Sequence, residues 1–361
     1  MDDTPFRAAK LSIKARSTAT ENRIKDTDHL EELLSAPSVA AIEALGRRVG
    51  DLMVLGVAGK MGPTLARMAR RASDQAGVSR RVIGVARFSD PRQESRLKAH
   101  GVETIRCDLL DPAQFELLPA VPNVISLVGM KFGATGQEGL TWATNCWLPG
   151  MICRKFRDAH IVALSTGNVY GLTPVAGGGS AETDPPVPVG DYAMSCLGRE
   201  RIYEHFSRTY QIPVTLLRLN YATEMRYGVL VDLARRAWEG RPIDLTMGHL
   251  NAIWQADASA MALASFGLAS APPLVLNVAG PELLSVRRVA NQFGQMFGRA
   301  VTFQGVESND ATLSDGQKGH RLFGYPRISA GQMIHWIADW IGRGGETWDK
   351  PTHFEVRDGK F

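Results

Sequence analysis

Residues 52–72 read LMVLGVAGKMGPTLARMARRA. Four apolar residues lead into Gly56, Gly59 and Gly62, and an amphipathic run opens on Pro63. That order predicts a buried strand, a tight turn and a helix whose first turn tolerates proline. Glycine lacks the Cβ that would hold a pyrophosphate away from such a turn, and the helix N-terminus offers partial positive charge to meet it. The three glycines, with Lys60 and Met61 between the last two, therefore predict a dinucleotide site rather than a bare change of direction.

Outward from this unit, the runs LMVLG, RVIGVA, NVISLVG, HIVALS and VTLLRL recur, each followed by helix-like sequence. Their alternation predicts an α/β protein of Rossmann type, a doubly wound parallel sheet covered by helices on both faces. After residue 220 the pattern loosens into GVLVDLARRAWEG, RRVANQFGQMFG and GQMIHWIADWIG, with shorter strands such as PLVLNVAG, the mark of a smaller lobe. Upstream, residues 1–25 are polar and read as an arm. TDHLEELL and SVAAIEAL follow as short helices, with Thr27 or Asp28 and Ser38 as caps and Gly46 as a stop. The expected organisation is an arm and helices over 1–48, a dinucleotide-binding domain over 49–220, and a mainly substrate-binding lobe with a tail over 221–361, partly interleaved with the second.

The bulk numbers exclude several classes. With 361 residues, 44% hydrophobic and 22% charged, the chain can bury a real core. Its net charge of +4 is spread without a dense basic cluster, which argues against nucleic acid as partner. Cys107, Cys146, Cys153 and Cys196 show neither paired nor zinc-like spacing, so free thiols, no metal site and a reducing cytoplasm are expected. No apolar run nears the roughly 18 residues of a membrane span, and no apolar leader opens the chain.

In VIGVARFSD the residue placed to meet the adenosine ribose is Arg87. An acid there would bond both ribose hydroxyls of NAD, whereas arginine suits the 2′-phosphate of NADP. NADP is favoured, with NAD left open; the plain alternative is a solvated surface arginine. Asp108, in RCDLLD, stands at a strand end, where it would accept from the adenine amino group or cap the following turn.

GVAGKMG, CDLLD, STGNVYG and DYAMSC together resemble, in order and spacing, the extended short-chain dehydrogenase/reductases, which include the NAD(P)-dependent sugar-nucleotide epimerases and dehydratases. The resemblance covers about residues 50 to 345. It implies a GxxGxxG turn at Gly56, Gly59 and Gly62, an active-site hydroxyl at Thr166, four residues before Tyr170 of VYG, and a catalytic Tyr192. The family's YxxxK lysine falls on Cys196. Hydride transfer at a carbon needs a proton carrier and a group that orients the substrate oxygen, and Tyr192 and Thr166 can supply both. A thiol at Cys196 can neither hold a ribose as an ammonium does nor lower the pKa of the phenol.

Lys131, in VGMKFG, matches a lysine that approaches the cofactor in some epimerases of that family and is the expected substitute. Arg199, two helical turns past Tyr192, is the other cation, its plain reading a surface charge. Gly167 and Asn168 stand where related dehydratases carry an Asp-Glu pair, which argues against elimination by that route. The resemblance places Asn145, Glu182 and Asn220 near the substrate and implies a homodimer through the helices beginning near Gly139 and Asp191; the sequence itself supplies an apolar face, Trp142, Cys146 and Met151, on the first, and the long Gly/Pro-rich run 172–190 suits a lid. His353, in the tail KPTHFEVRDGKF, reads as structural. The leading function is an NADP-dependent oxidoreductase or epimerase acting on a sugar or sugar nucleotide. The rival is a non-catalytic dinucleotide sensor or scaffold, to which Cys196 gives its support.

Overall fold

A computed structural model describes residues 23–360 except 132 and 134. The sequence's expected arm lies largely outside these residues. Seven parallel strands form the central sheet: β1 (Leu52–Leu55), β2 (Val82–Ala86), β3 (Glu103–Arg106), β4 (Asn123–Ser126), β5 (His160–Thr166), β6 (Val214–Leu219) and β7 (Leu274–Val278). Their spatial order is β7-β6-β5-β4-β1-β2-β3. β1 is hydrogen-bonded to β2 on one side and β4 on the other, so the chain reverses its direction of winding there. That reversal opens a crevice at the carboxyl ends of the strands.

β1 is buried on both faces, which is why it reads as an unbroken apolar run. Leu52 and Val54 join one core and Met53 and Leu55 the other, as the two-residue period of a strand requires. The edge strand β3, with sequence ETIR, is the one central strand whose ends face solvent. PLVLNVAG, read as part of a separate lobe, supplies β7 and pairs in parallel with β6 from Thr215 to Leu219. The second half of the chain thus re-enters the sheet beyond residue 220.

The helices used below are α1 (Thr27–Leu34), α2 (Val39–Gly46), α3 (Gly62–Gln75), α4 (Pro91–Ala99), α5 (Pro112–Glu116), α6 (Glu138–Trp142), α7 (Leu148–Lys155), α8 (Gly190–Tyr210) and α9 (Val229–Glu239). Asp26, one residue before the caps expected for α1, accepts from the His29 backbone N–H; Ser38 caps α2 as expected. Leu30, Leu34, Ile42 and Leu45 are buried in the main core, each worth roughly 2 kcal/mol of burial. The N-terminal helices are therefore part of the body rather than an appendage. Among the described residues no helix is long and apolar enough to cross a membrane.

Candidate active site

The glycine turn leaves β1 at Gly56, whose φ of +79° suits glycine and whose added Cβ would sit 2.9 Å from Val128 Cγ2. At Gly62 a Cβ would lie 2.2 Å from the Val57 carbonyl oxygen, so α3 and β1 touch through backbone. Pro63 occupies the first turn of α3. Gly59, Lys60, Met61 and Gly62 line a cavity of about 380 Å³ in the crevice. The free N–H groups of a helix terminus, approached across bare glycines, fit the diphosphate of a dinucleotide.

On the far wall stand Thr166, Asn168, Tyr192, Lys131 and Arg199. Thr166 ends β5, and its hydroxyl accepts from the Asn168 N–H at 3.2 Å. Beneath it Ser165 donates to Glu200 at 2.6 Å, and Glu200 is gripped by Arg218 at 2.7 Å, which locks β5, α8 and β6 together. Tyr192, in the first turn of α8, keeps part of its ring exposed, while its hydroxyl end is enclosed beside Thr166 and Cys196. Burial pushes the phenol above its ordinary pKa, as would a charge on Cys196; the Thr166 hydrogen bond and the Arg199 charge pull it back.

Cys196 takes no place on the cavity wall; it packs with Val169 and Tyr170, and its thiol shares a hydrogen bond with the Tyr192 hydroxyl. Burial raises its pKa, so it rests as a neutral thiol. Of the two cations, Lys131 has its Nζ 5.8 Å from the Tyr192 ring centre and donates to the Thr352 carbonyl at 3.4 Å. Burial lowers its pKa to about 8. Arg199, read from the sequence as a surface charge, is only 6% exposed. It donates to the Leu164 carbonyl at 2.7 Å and to Asn145 Oδ1, and its buried Nε has no hydrogen-bond partner among the described residues. Gly129 makes room for it: a Cβ there would meet Nη2 at 2.8 Å.

Asn145 lies in a π-helical turn, Ala143–Trp147, the extra residue of which tucks its side chain inward. It bonds the Met130 backbone and Ser195 Oγ and takes no place on the cavity wall. Asn220 does line the cavity and is held by Asn251 at 2.6 Å. Glu182 accepts from the Asn277 N–H at 2.8 Å and latches the loop to β7, away from the cavity wall. Asp108 accepts from the Leu110 N–H at 3.1 Å, the turn-capping alternative. Arg87 is exposed at the end of β2 and borders neither this cavity nor the second one described next.

A second cavity of about 500 Å³ continues past Lys60, between α3 and α4. Its wall carries Arg67, Arg92 and Arg96 together with Ser89, Asp90 and Gln93. The sequence reading also missed Tyr221, Tyr227 and Thr352 on the first cavity. Tyr221 holds φ at +44°, a conformation a bulky residue seldom adopts, and its hydroxyl bonds Thr312. No local pattern signals these residues, because folding brings them in from distant segments.

The model of the NAD dependent epimerase/dehydratase family matches residues 52–249. No curated protein sequence matches the chain. Solved structures with the same fold include UDP-glucuronic acid 4-epimerase from Bacillus cereus in complex with UDP-glucuronic acid and NAD, at 18% identity and a TM-score of 0.66, covering 82% of this chain and 99% of that one. The dTDP-glucose 4,6-dehydratase of Bacillus anthracis superposes with a TM-score of 0.67 at 15% identity, covering 82% and 97%. UDP-glucose 4-epimerase from Thermotoga maritima gives 0.66 at 17%, covering 82% and 99%.

Proposed function

This chain belongs to the NAD dependent epimerase/dehydratase family, a family of enzymes, and from that premise we propose that it oxidises or epimerises a hydroxyl-bearing carbon of a sugar nucleotide with a nicotinamide dinucleotide. One observation carries the reading: Tyr192 and Thr166 meet on the wall of the same cavity into which the glycine turn and the N-terminus of α3 open. The sugar nucleotides named for the solved neighbours support the substrate class. When bound, the nicotinamide supplies the hydride acceptor and donor. Gly59, Lys60, Met61 and Gly62 would hold its diphosphate.

Tyr192 moves the proton at its phenolic oxygen, and Thr166 orients the substrate oxygen by hydrogen bonding. A buried phenolate needs nearby positive charge, and Cys196 cannot give it. Arg199 provides a permanent charge, fixed by Asn145 and Leu164, and Lys131 a titrating one. Gly167 and Asn168 follow Thr166 directly and offer no acid–base pair for elimination, which favours epimerisation or net oxidation over dehydration.

Arg67, Arg92 and Arg96 on the wall of the second cavity, which would take the adenosine side of the cofactor, support NADP over NAD, although Arg87 itself borders neither cavity. Exposed Leu140, Trp142, Trp147 and Met194 on α6, the π turn and α8 suit a homodimer. Of the face expected from the sequence, only Trp142 is open: Cys146 turns onto α8 at Gly198, and Met151 packs on the core. Light scattering at micromolar concentration should give the dimer mass. A panel of UDP- and dTDP-sugars incubated with NADP⁺ or NAD⁺ tests the function: turnover of one of them is expected, and dinucleotide binding without any turnover would favour the sensor.

A further inference from the structure

The chain after Trp340 does not trail away. The Gly345 N–H donates to the Trp340 carbonyl at 2.8 Å, and the Trp348 N–H to the Arg226 carbonyl at 3.1 Å. The Trp348 ring stacks on Tyr227, with centres 6.2 Å apart and planes 26° apart, and the Arg226 guanidinium lies 4.8 Å from the Trp348 ring centre. Four residues on, Thr352 is buried, and Asp232 of α9 accepts from both its N–H and its hydroxyl, at 2.7 and 2.6 Å. The last turn reaches α8 itself, where a Cβ on Gly359 would strike the Val189 carbonyl at 2.2 Å.

This one segment therefore borders both cavities of the crevice. Trp348 and Lys350 border the adenosine-side cavity, and Thr352 borders the cavity of Tyr192. Gly59 and Lys60 border both, so the two cavities adjoin at the turn before α3, directly beside the segment. The Lys60 ammonium sits 3.4 Å from the Tyr227 ring centre, on the aromatic pair that Trp348 completes. Lys60 borders both cavities, Lys131 the first and Lys350 the second; burial lowers the Lys60 pKa to about 7, the charges of Lys350 and Lys131 adding to the effect and that of Asp232 opposing it. Gathering like charges opposes folding by itself, and an anion between them relieves the repulsion.

We propose that residues 346–352 are a component of the dinucleotide site, with Lys350 acting with Lys60 on the diphosphate and Trp348 covering it. The inference rests on the dinucleotide reading above and adds the C-terminal segment to it. A dinucleotide spanning both cavities passes beneath Trp348, so the cover slows its departure.

Fluorescence titration of NADPH and NADH, and their release into excess unlabelled dinucleotide, test the assignment on the full chain. Lys350 is exposed, so Lys350→Met should not lower the melting temperature of the dinucleotide-free protein while raising the Kd of both dinucleotides about tenfold, the loss of one charge-assisted contact. Trp348→Ala should speed release of both by a similar factor. Unchanged Kd in Lys350→Met, or a loss confined to NADPH, would overturn the assignment to the diphosphate. Wild-type protein that binds neither dinucleotide would overturn the underlying reading instead.

Discussion

The glycine turn and the N-terminal part of α8 face the same crevice but are made in different ways. The turn is built from backbone: its shape follows from missing side chains at Gly56, Gly59 and Gly62, all within seven consecutive residues. The α8 wall is built from side chains, and its electrostatics come from Lys131 after β4, Arg199 two turns along, and Thr352 near the end of the chain. A backbone site tolerates almost no substitution, since nothing can rotate away. A side-chain site can exchange one contributor for another, and that is the exchange we propose where Cys196 stands.

The largest effect expected on the side-chain wall is at Tyr192, its proposed proton carrier. Tyr192→Phe should lower turnover of the identified sugar nucleotide by about 10²- to 10⁴-fold while leaving the dinucleotide Kd within about twofold. Steady-state kinetics beside fluorescence titration would show it, and full activity in the variant would dismiss Tyr192 from the chemistry. On the backbone side, Gly62→Ala forces a Cβ to 2.2 Å from Val57 O. It should destabilise the protein by about 3 kcal/mol and abolish dinucleotide binding, read by chemical denaturation and titration. A stable Gly62→Ala that still binds would break the distinction between the two regions.

The cations sharpen it further. Lys131 has a pKa lowered to about 8, so it is charged below that pH and loses its charge as pH rises through it. The turnover ratio of wild type to Lys131→Met should therefore be largest near pH 7 and shrink toward 1 by about pH 9. Arg199→Lys should keep more activity than Arg199→Met at every pH, because a permanent charge is being replaced by a charge or by none. A constant Lys131 ratio across that range would remove Lys131 from the reaction. The smallest effect belongs to Cys196→Ser: serine is close in size and its hydroxyl can keep the hydrogen bond that the thiol shares with Tyr192, so turnover should change less than about threefold.

The same contrast explains what could be read in the sequence. Strand, turn and helix around residues 52–72 are local, and so was the alternation that gives the parallel sheet. The placing of β7 was not legible, since nothing in PLVLNVAG says which partner it will join; only the pairing with β6 does. Tyr192 and Thr166 were legible through a resemblance in their flanking residues. Arg199 looked like a surface charge because helix spacing gives its face and not what covers it. Asn145, Asp108 and Glu182 turned inward or onto their own turns, for a polar residue's partners are set by tertiary packing. Trp348, Lys350 and Thr352 had no signal at all, lying nearly 300 residues from the turn they cover.

The central claim is that the crevice between the glycine turn and α8 holds a nicotinamide dinucleotide under the C-terminal segment. Denaturing the purified, undialysed protein and identifying the released nucleotide by mass spectrometry tests it most directly. The account predicts NADP⁺ or NADPH in near-stoichiometric amount, retained through purification and lost from Trp348→Ala. A protein that releases no dinucleotide, and takes up neither NADP⁺ nor NAD⁺ when either is added at millimolar concentration, would contradict it.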